Sequence, residues 1–364
     1  MTSTIDLDSV ERLTRDVRNA AVSISAADAR FMVDAYYQMQ EYRKATANQQ
    51  KASVKAGEPV IMNWLLKQTE IVENQIKSLL DVWSGNQEAG QWAKSIIGIG
   101  PVIAAGLLTH IDIRQAPTVG HIWRFAGLDP TQQWLGAVRG NAETADAIGR
   151  LGSVEAAIPG LAAMIGTRAE TLRKLATSDA KGKALKLTKT SLSKAAAKRP
   201  WNARLKTLCW KIGESFVKVS GNPGDIYGKI YLVRKDYEAS KNLTGDYAGQ
   251  ADAKLAKYNI GKGTAAYCWY AGRLTADAAR EIMAFTGDRD KLTMALAGEP
   301  GSGVKMLPLG HIHARAKRYA VKLFLAHYHH VTYRAEFGID PPMPYVIEHV
   351  GHVHYIPPPS SHGY

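Results

Sequence analysis

The stretch Ser95–Pro130, SIIGIGPVIAAGLLTHIDIRQAPTVGHIWRFAGLDP, constrains this chain more than any other. Its first 17 residues, Ser95 to Ile111, carry no charged side chain. So apolar a run must be buried, either in a bilayer or between helices. A membrane span needs roughly 20 apolar residues. This run is shorter, is broken by Gly98, Gly100, Pro101 and Gly106, and is flanked by Lys94 and Asp112. The pattern therefore predicts a buried helical hairpin, with no membrane partner. Two glycines one residue apart allow a tight turn and a close approach of backbone to ligand. Pro101 suits the first turn of the following helix, where its missing N–H costs nothing. The exposed amides at that helix N-terminus make a site for a phosphate. The hairpin residues expected to meet a nucleic-acid backbone are Lys94, Gly98, Ile99, Gly100 and Val102.

Charge points the same way. The formal net charge is +13, which favours a polyanionic partner. Most of the excess lies between Arg173 and Lys206, where eleven basic residues face one acid, Asp179. Arg173, Lys181, Lys183, Lys186, Lys189, Lys194, Lys198, Arg199, Arg204 and Lys206 are the candidate phosphate contacts here. The intervening residues are small, so the segment is expected to bury little and to order on a phosphate backbone. No large aromatic face accompanies the lysines, which disfavours a membrane surface. The opening, MTSTIDLDSVERLTRDVRN, is polar and not signal-like, and a cytoplasmic location is expected. Two cysteines, Cys209 and Cys268, exclude a disulfide framework and sit in apolar contexts that predict buried thiols.

Periodicity predicts an all-α fold. Ala29, Met32, Val33, Tyr36 and Tyr37 follow helical steps within 8–56, and a second long helix spans about 60–83. This long pair is a candidate dimerisation element, so a homodimer is expected. Further helices are predicted at 201–219, 225–241, 246–258, 264–271 and 310–336. No stretch shows sustained two-residue alternation, which argues against a major sheet. The resulting division is 1–90 long helices, 91–135 hairpin, 136–200 an Ala/Lys-rich basic insertion, 201–340 a helical C-terminal domain, and 341–364 an irregular Pro/His-rich tail.

IGIGPVIAAGLL followed by WRFAGLDP resembles the C-terminal helix-hairpin-helix domain of transposases from bridge-RNA-guided insertion sequences. Asn202-Ala203-Arg204-Leu205-Lys206 and Leu208 resemble a further helix of that family. The resemblance covers about 60–220, interrupted by the insertion, and the YYQMQ, RPWN.RLK and KRYAVKLFLAH stretches are similar to phage- and prophage-type transposase-like proteins. It implies a DNA partner and adds Arg124 and Asn202 to the contacts. Family members also carry an RNase-H-like domain whose four carboxylates hold Mg²⁺. The first 95 residues here have helical periodicity, and Asp6, Asp8, Glu11, Asp16, Asp28 and Asp34 are scattered as cap and surface charges. That domain is therefore expected to be missing, with no cofactor; Mg²⁺ enters only under an alternative in which a partner chain supplies the metal domain. The family's catalytic serine has its nearest counterparts in Ser191 and Ser193, neither followed by glycine, and a serine nucleophile needs activation that no neighbouring base supplies.

Nine of eleven histidines follow position 310. His349, His352 and His354 have spacings that can ligate zinc, but no cysteine is near and the flank is Pro-rich. Arg315, Arg318 and Lys322 lie on neighbouring faces of the last predicted helix and are its candidate backbone contacts. Trp201 is the aromatic expected to stack on an unpaired base. Gly261-Lys262-Gly263-Thr264 lacks the eight-residue spacing of a nucleotide loop. The sequence thus predicts a DNA-binding, transposase-like protein that grips phosphates without strand chemistry, by shape rather than base code. A junction or branched duplex is the expected DNA, and structured RNA remains open. The alternatives are a serine-dependent strand transferase and a phage protein acting on a host protein.

Overall fold

The computed structural model describes residues 19–53, 60–179, 181–343 and 356–360. It divides into two compact units, one of residues up to Lys211 together with those from Leu325 onward, the other Ile212–Phe324. Among the described residues there is no strand, only an isolated bridge between Ser178 and Ala184. The chain is all-α.

In the first unit, Ser25 and Asp28 set the start of α1 (Ala26–Ser53). The Ser25 hydroxyl accepts the Asp28 amide at 3.1 Å, and the Asp28 carboxylate accepts the Ser25 amide at 3.3 Å, which satisfies two orphan donors reciprocally. Ala29 and Val33 of α1 pack against Leu79, Leu80 and Trp83 of α2 (Val60–Gly85). Two short helices follow, α3 (Glu88–Ser95) and α4 (Pro101–His110), and Val102 and Ala105 complete the same core. Then come a 3₁₀ turn, Ile113–Gln115, and α5 (Val119–Phe125).

The segment 136–200 differs from its expectation. It forms four helices: α6 (Gly136–Leu151), α7 (Val154–Ile165), α8 (Ala169–Thr177) and α9 (Lys189–Ala197). These share a core of Ala147, Ala157, Ile158, Leu161, Ala162, Ile165, Leu172, Leu192 and Ala195. Small residues let backbones approach closely: a Cβ on Gly140 of α6 would lie 2.9 Å from that of Ala197. An alanine core has low hydropathy per residue yet excludes water, so the segment folds as a module and does not wait for a ligand to order it. Gly152, at φ +74°, ends α6 in the left-handed conformation, and the Ser153 hydroxyl caps α7 through the Ala156 amide at 3.1 Å.

The first half of α10 (Ala203–Val219) returns to the unit's main core, where Leu208 sits on Gly106 of α4 so closely that a Cβ there would come within 2.8 Å. Tyr328, on the second half of α16 (Leu309–Phe337), is fully buried against Trp92, ring centroids 6.5 Å apart. Residues 356–360 lie across this region. The Trp92 indole donates to the Pro359 carbonyl at 2.9 Å, and His327 Nε2 to that of Ile356 at 2.8 Å.

The second unit holds the remainder of α10 with α11 (Tyr227–Leu243), α12 (Ala248–Lys257), α13 (Ala265–Tyr270), α14 (Ala276–Ala284), α15 (Arg289–Leu296) and the first half of α16. Phe216, Tyr227 and Phe324 form an aromatic cluster with centroids 4.9 to 5.5 Å apart. The Asn242 side chain makes two 2.8 Å hydrogen bonds to the Leu307 backbone, standing in for a strand partner to that loop.

Candidate nucleic-acid interface

The hairpin forms where the sequence places it. Gly98 stands at φ +94°, a conformation that strains any residue with a Cβ. The Ile99 amide donates to the Ile96 carbonyl at 2.9 Å, closing the end of α3, and the Ile99 side chain is buried. Ile99 is therefore a structural member of the turn, its donor already spent. Gly100 is the N-cap of α4 at φ −93°, ψ 176°, with nothing within 4 Å of where its Cβ would be. The first intrahelical bond is Ala104 N–H to Gly100 O at 3.0 Å. Pro101 has no N–H, and helix geometry leaves the amides of Val102 and Ile103 without an intrahelical acceptor. The result is an open N-cap ahead of two donors and the positive end of a helix dipole.

The flanking cations are mostly committed. Lys94 bonds the Asp81 carboxylate at 2.7 Å and the Asp81 carbonyl at 2.9 Å. Arg124 donates to the Gly166 carbonyl at 2.7 Å and pairs with Asp129 at 3.3 Å, tying α5 to the end of α7. Arg173 pairs with Glu155, and Arg204 with Asp34. Asn202 is a helix cap, its side-chain oxygen accepting the Arg204 and Leu205 amides at 3.0 Å each. Trp201 packs against Gly127, and Lys206 Nζ lies 3.8 Å over its ring, so the ring already has neighbours where a base would stack.

The lysines of the helical module are different. Lys181, Lys183, Lys186, Lys189, Lys194 and Lys198 are all exposed, as is Arg199, whose guanidinium lies 4.2 Å from the Trp134 ring centroid. The Asp179 carboxylate accepts the Lys181 and Lys183 amides at 2.9 and 2.8 Å, so the single acid of the segment is engaged with the turn. Ser191 is spent in a capping box: its hydroxyl accepts the Thr188 amide at 2.9 Å, while the Thr188 hydroxyl accepts the Ser191 amide at 3.1 Å. Ser193 is buried in the module. Neither serine has a base beside it among these contacts.

In the second unit, Arg315 is held by Glu238 at 2.7 Å and by Gln250 at 3.1 Å, and lies 4.4 Å from the Tyr247 ring centroid. Burial pushes the Glu238 carboxyl up, but hydrogen bonds from Tyr247, Arg315 and Arg234 outweigh it and hold the group below the usual range. Arg315 thus neutralises a buried carboxylate, while Arg318 is exposed and Lys322 half-buried. His349, His352 and His354 lie outside the described residues. Among the described residues no group of three His, Cys, Asp or Glu could hold a metal ion, so Mg²⁺ has no carboxylate set to fit there. Both cysteines are buried free thiols.

Sequence reading missed His110, the last residue of α4, which is buried with its Nδ1 lacking a hydrogen-bond partner. Its signal was present: it is the one ionisable residue of an otherwise uncharged run.

Residues 91–148 match the transposase IS116/IS110/IS902 family, a span from within α3 through most of α6 that contains the whole hairpin. Over that segment the chain is transposase-like. No curated protein and no solved structure matches the chain. Among the described residues no helix is long and apolar enough to cross a membrane.

Proposed function

We propose that this protein is a transposase-like DNA binder that grips phosphates through the N-terminus of α4 and the lysine face of the α6–α9 module, without strand chemistry of its own. The observation that carries this reading is the open N-cap at Gly100, inside the segment that matches a transposase family. A phosphate approaching there meets the Val102 and Ile103 amides with no Cβ in its path. The exposed lysines add a second footprint that reads charge and shape, since phosphate contacts position a duplex without specifying bases. Branched or junction DNA is the substrate that two separated footprints favour, and two copies of the chain would present two hairpins to it. The capping role of Ser191 and the burial of Ser193 support binding over serine chemistry.

The test is a titration against duplex, single-stranded and four-way-junction DNA and structured RNA, with Mg²⁺ present and products run on a denaturing gel. Tight junction binding without nicking is the expected result. Each phosphate neutralised contributes about −0.9 to the slope of log K against log salt, so six contacts cost about a thousandfold between 50 and 200 mM. Nicked or covalently attached strands overturn the non-catalytic part, and failure to bind any substrate overturns the whole.

A further inference from the structure

The face of α1 opposite the start of α10 borders a cavity of about 630 Å³. Its walls are chemically unlike. α1 contributes Asp34, Tyr37 and Glu41, α10 contributes Arg204 and Lys211, and His110 reaches it from the end of α4. One wall therefore offers carboxylate acceptors and an aromatic ring, the other cations. Asp34 and Arg204 pair across the gap, and Lys211 Nζ lies 4.0 Å from the Tyr37 ring centroid. His110 is 7% exposed and its Nδ1 has no partner, an arrangement rare enough in proteins to call for an explanation. Burial, reinforced by the Arg30 charge, lowers its pKa to about 4, so the ring is neutral near pH 7.

A ligand that satisfies all of these groups has a flat π-face, an amine for the carboxylates and an anionic group for the cations. A nucleotide has all three, and the volume lies within the range of small-ligand sites. Position adds to this. Gly100 caps one end of α4 and His110 closes the other, about 15 Å away along the helix axis, or roughly four base steps of duplex. We infer that the cavity receives one unpaired nucleotide of the bound strand, its base amine toward Asp34 and Glu41 and its phosphate toward Arg204 and Lys211. This inference rests on the nucleic-acid reading above, and it turns a backbone grip into recognition of a duplex that carries an unpaired base. Adenine, cytosine and guanine have the required exocyclic amine, whereas thymine and uracil lack it.

The experiment uses the full chain and two dye-labelled duplexes, one fully paired and one with a single unpaired 2-aminopurine. Binding is read by anisotropy of the dye, and base environment by 2-aminopurine emission. Wild-type protein is expected to change the emission of the unpaired base only. Thr207→Trp, which fills the cavity from its exposed rim, abolishes that change and weakens the unpaired substrate about tenfold, a typical cost of losing one base contact. It leaves the paired duplex bound as before. Glu41→Lys, a second variant at an exposed position, removes the preference for an unpaired adenine over thymine. If both variants bind both substrates as wild type does, with emission unaltered, the inference fails while the backbone grip stands, and the cavity belongs to some other ligand such as a peptide. If wild-type protein binds neither duplex, the nucleic-acid reading fails and takes this one with it.

Discussion

Gly100→Asp separates binding from folding because the two should move in opposite directions. Gly100 is the N-cap of α4, in the extended conformation that N-cap residues adopt, with open space around its missing side chain. Aspartate is among the preferred N-cap residues, and its carboxylate accepts the N2 or N3 amide. Here those are Val102 and Ile103, the donors assigned to a DNA phosphate. Favourable charge at the positive end of the helix adds about 0.3–1 kcal/mol to stability. The same carboxylate occupies the phosphate's place and repels it. At about 5 Å the repulsion is about 1 kcal/mol in a water-like dielectric and about 3 kcal/mol at an effective dielectric of 20. That corresponds to roughly five- to 150-fold in Kd. Thermal melting should place the variant at or above wild type, and anisotropy against junction DNA should show the loss. Gly100→Ala, which leaves the amides open at a permissible φ, should bind close to wild type. A folded Gly100→Asp protein that binds like wild type at every salt concentration would refute the assignment of these amides to DNA.

The remaining expectations follow from the same contacts. Replacing Lys183, Lys186 and Lys194 with glutamine should flatten the salt slope by about 0.9 per lysine lost from the DNA contact, with little change in melting temperature because all three are exposed. Gly140→Val should drive a side chain into Ala197 and destabilise the α6–α9 module by about 1–3 kcal/mol, read by urea denaturation. His110 should make the first unit acid-labile. The unfolded chain binds its proton from about pH 6.5 downward, whereas the folded chain postpones this to about 4, so stability from this group is intact above 6.5 and falls by up to about 3 kcal/mol across that window. His110→Asn should reduce this acid sensitivity in melts between pH 7 and 4, and an unchanged profile would show that other groups carry it.

Long amphipathic helices were legible because their apolar residues recur at fixed steps. The predicted 60–83 became Val60–Gly85, and 310–336 became Leu309–Phe337. The hairpin was legible because glycine and proline have few alternative uses at that spacing. The module at 136–200 was not, since its core is built largely from alanine and glycine, whose fit depends on close backbone approach that no hydropathy pattern reports. Pairings distant in sequence were hidden for a related reason. Lys94, Arg124 and Arg204 look like free cations until the fold brings Asp81, Gly166 and Asp34 to them. Base stacking was assigned to Trp201 on its flanking charges, whereas Tyr37 and Lys211 meet only once α1 and α10 are packed together.

The alanine core of the α6–α9 module has a kinetic consequence. Its contacts, α6 with α9, α8 with α9 and α6 with α7, all fall within one run of about sixty residues. Low sequence separation favours rapid folding, because little loop-closure entropy is spent before contacts form. The lysines are therefore mounted on a frame completed early and without help from DNA. A surface ordered in advance loses little conformational freedom when a ligand arrives. Association at this face should then resemble the docking of a finished part, with a small heat-capacity change, and not the coupled folding that a disordered basic arm would show.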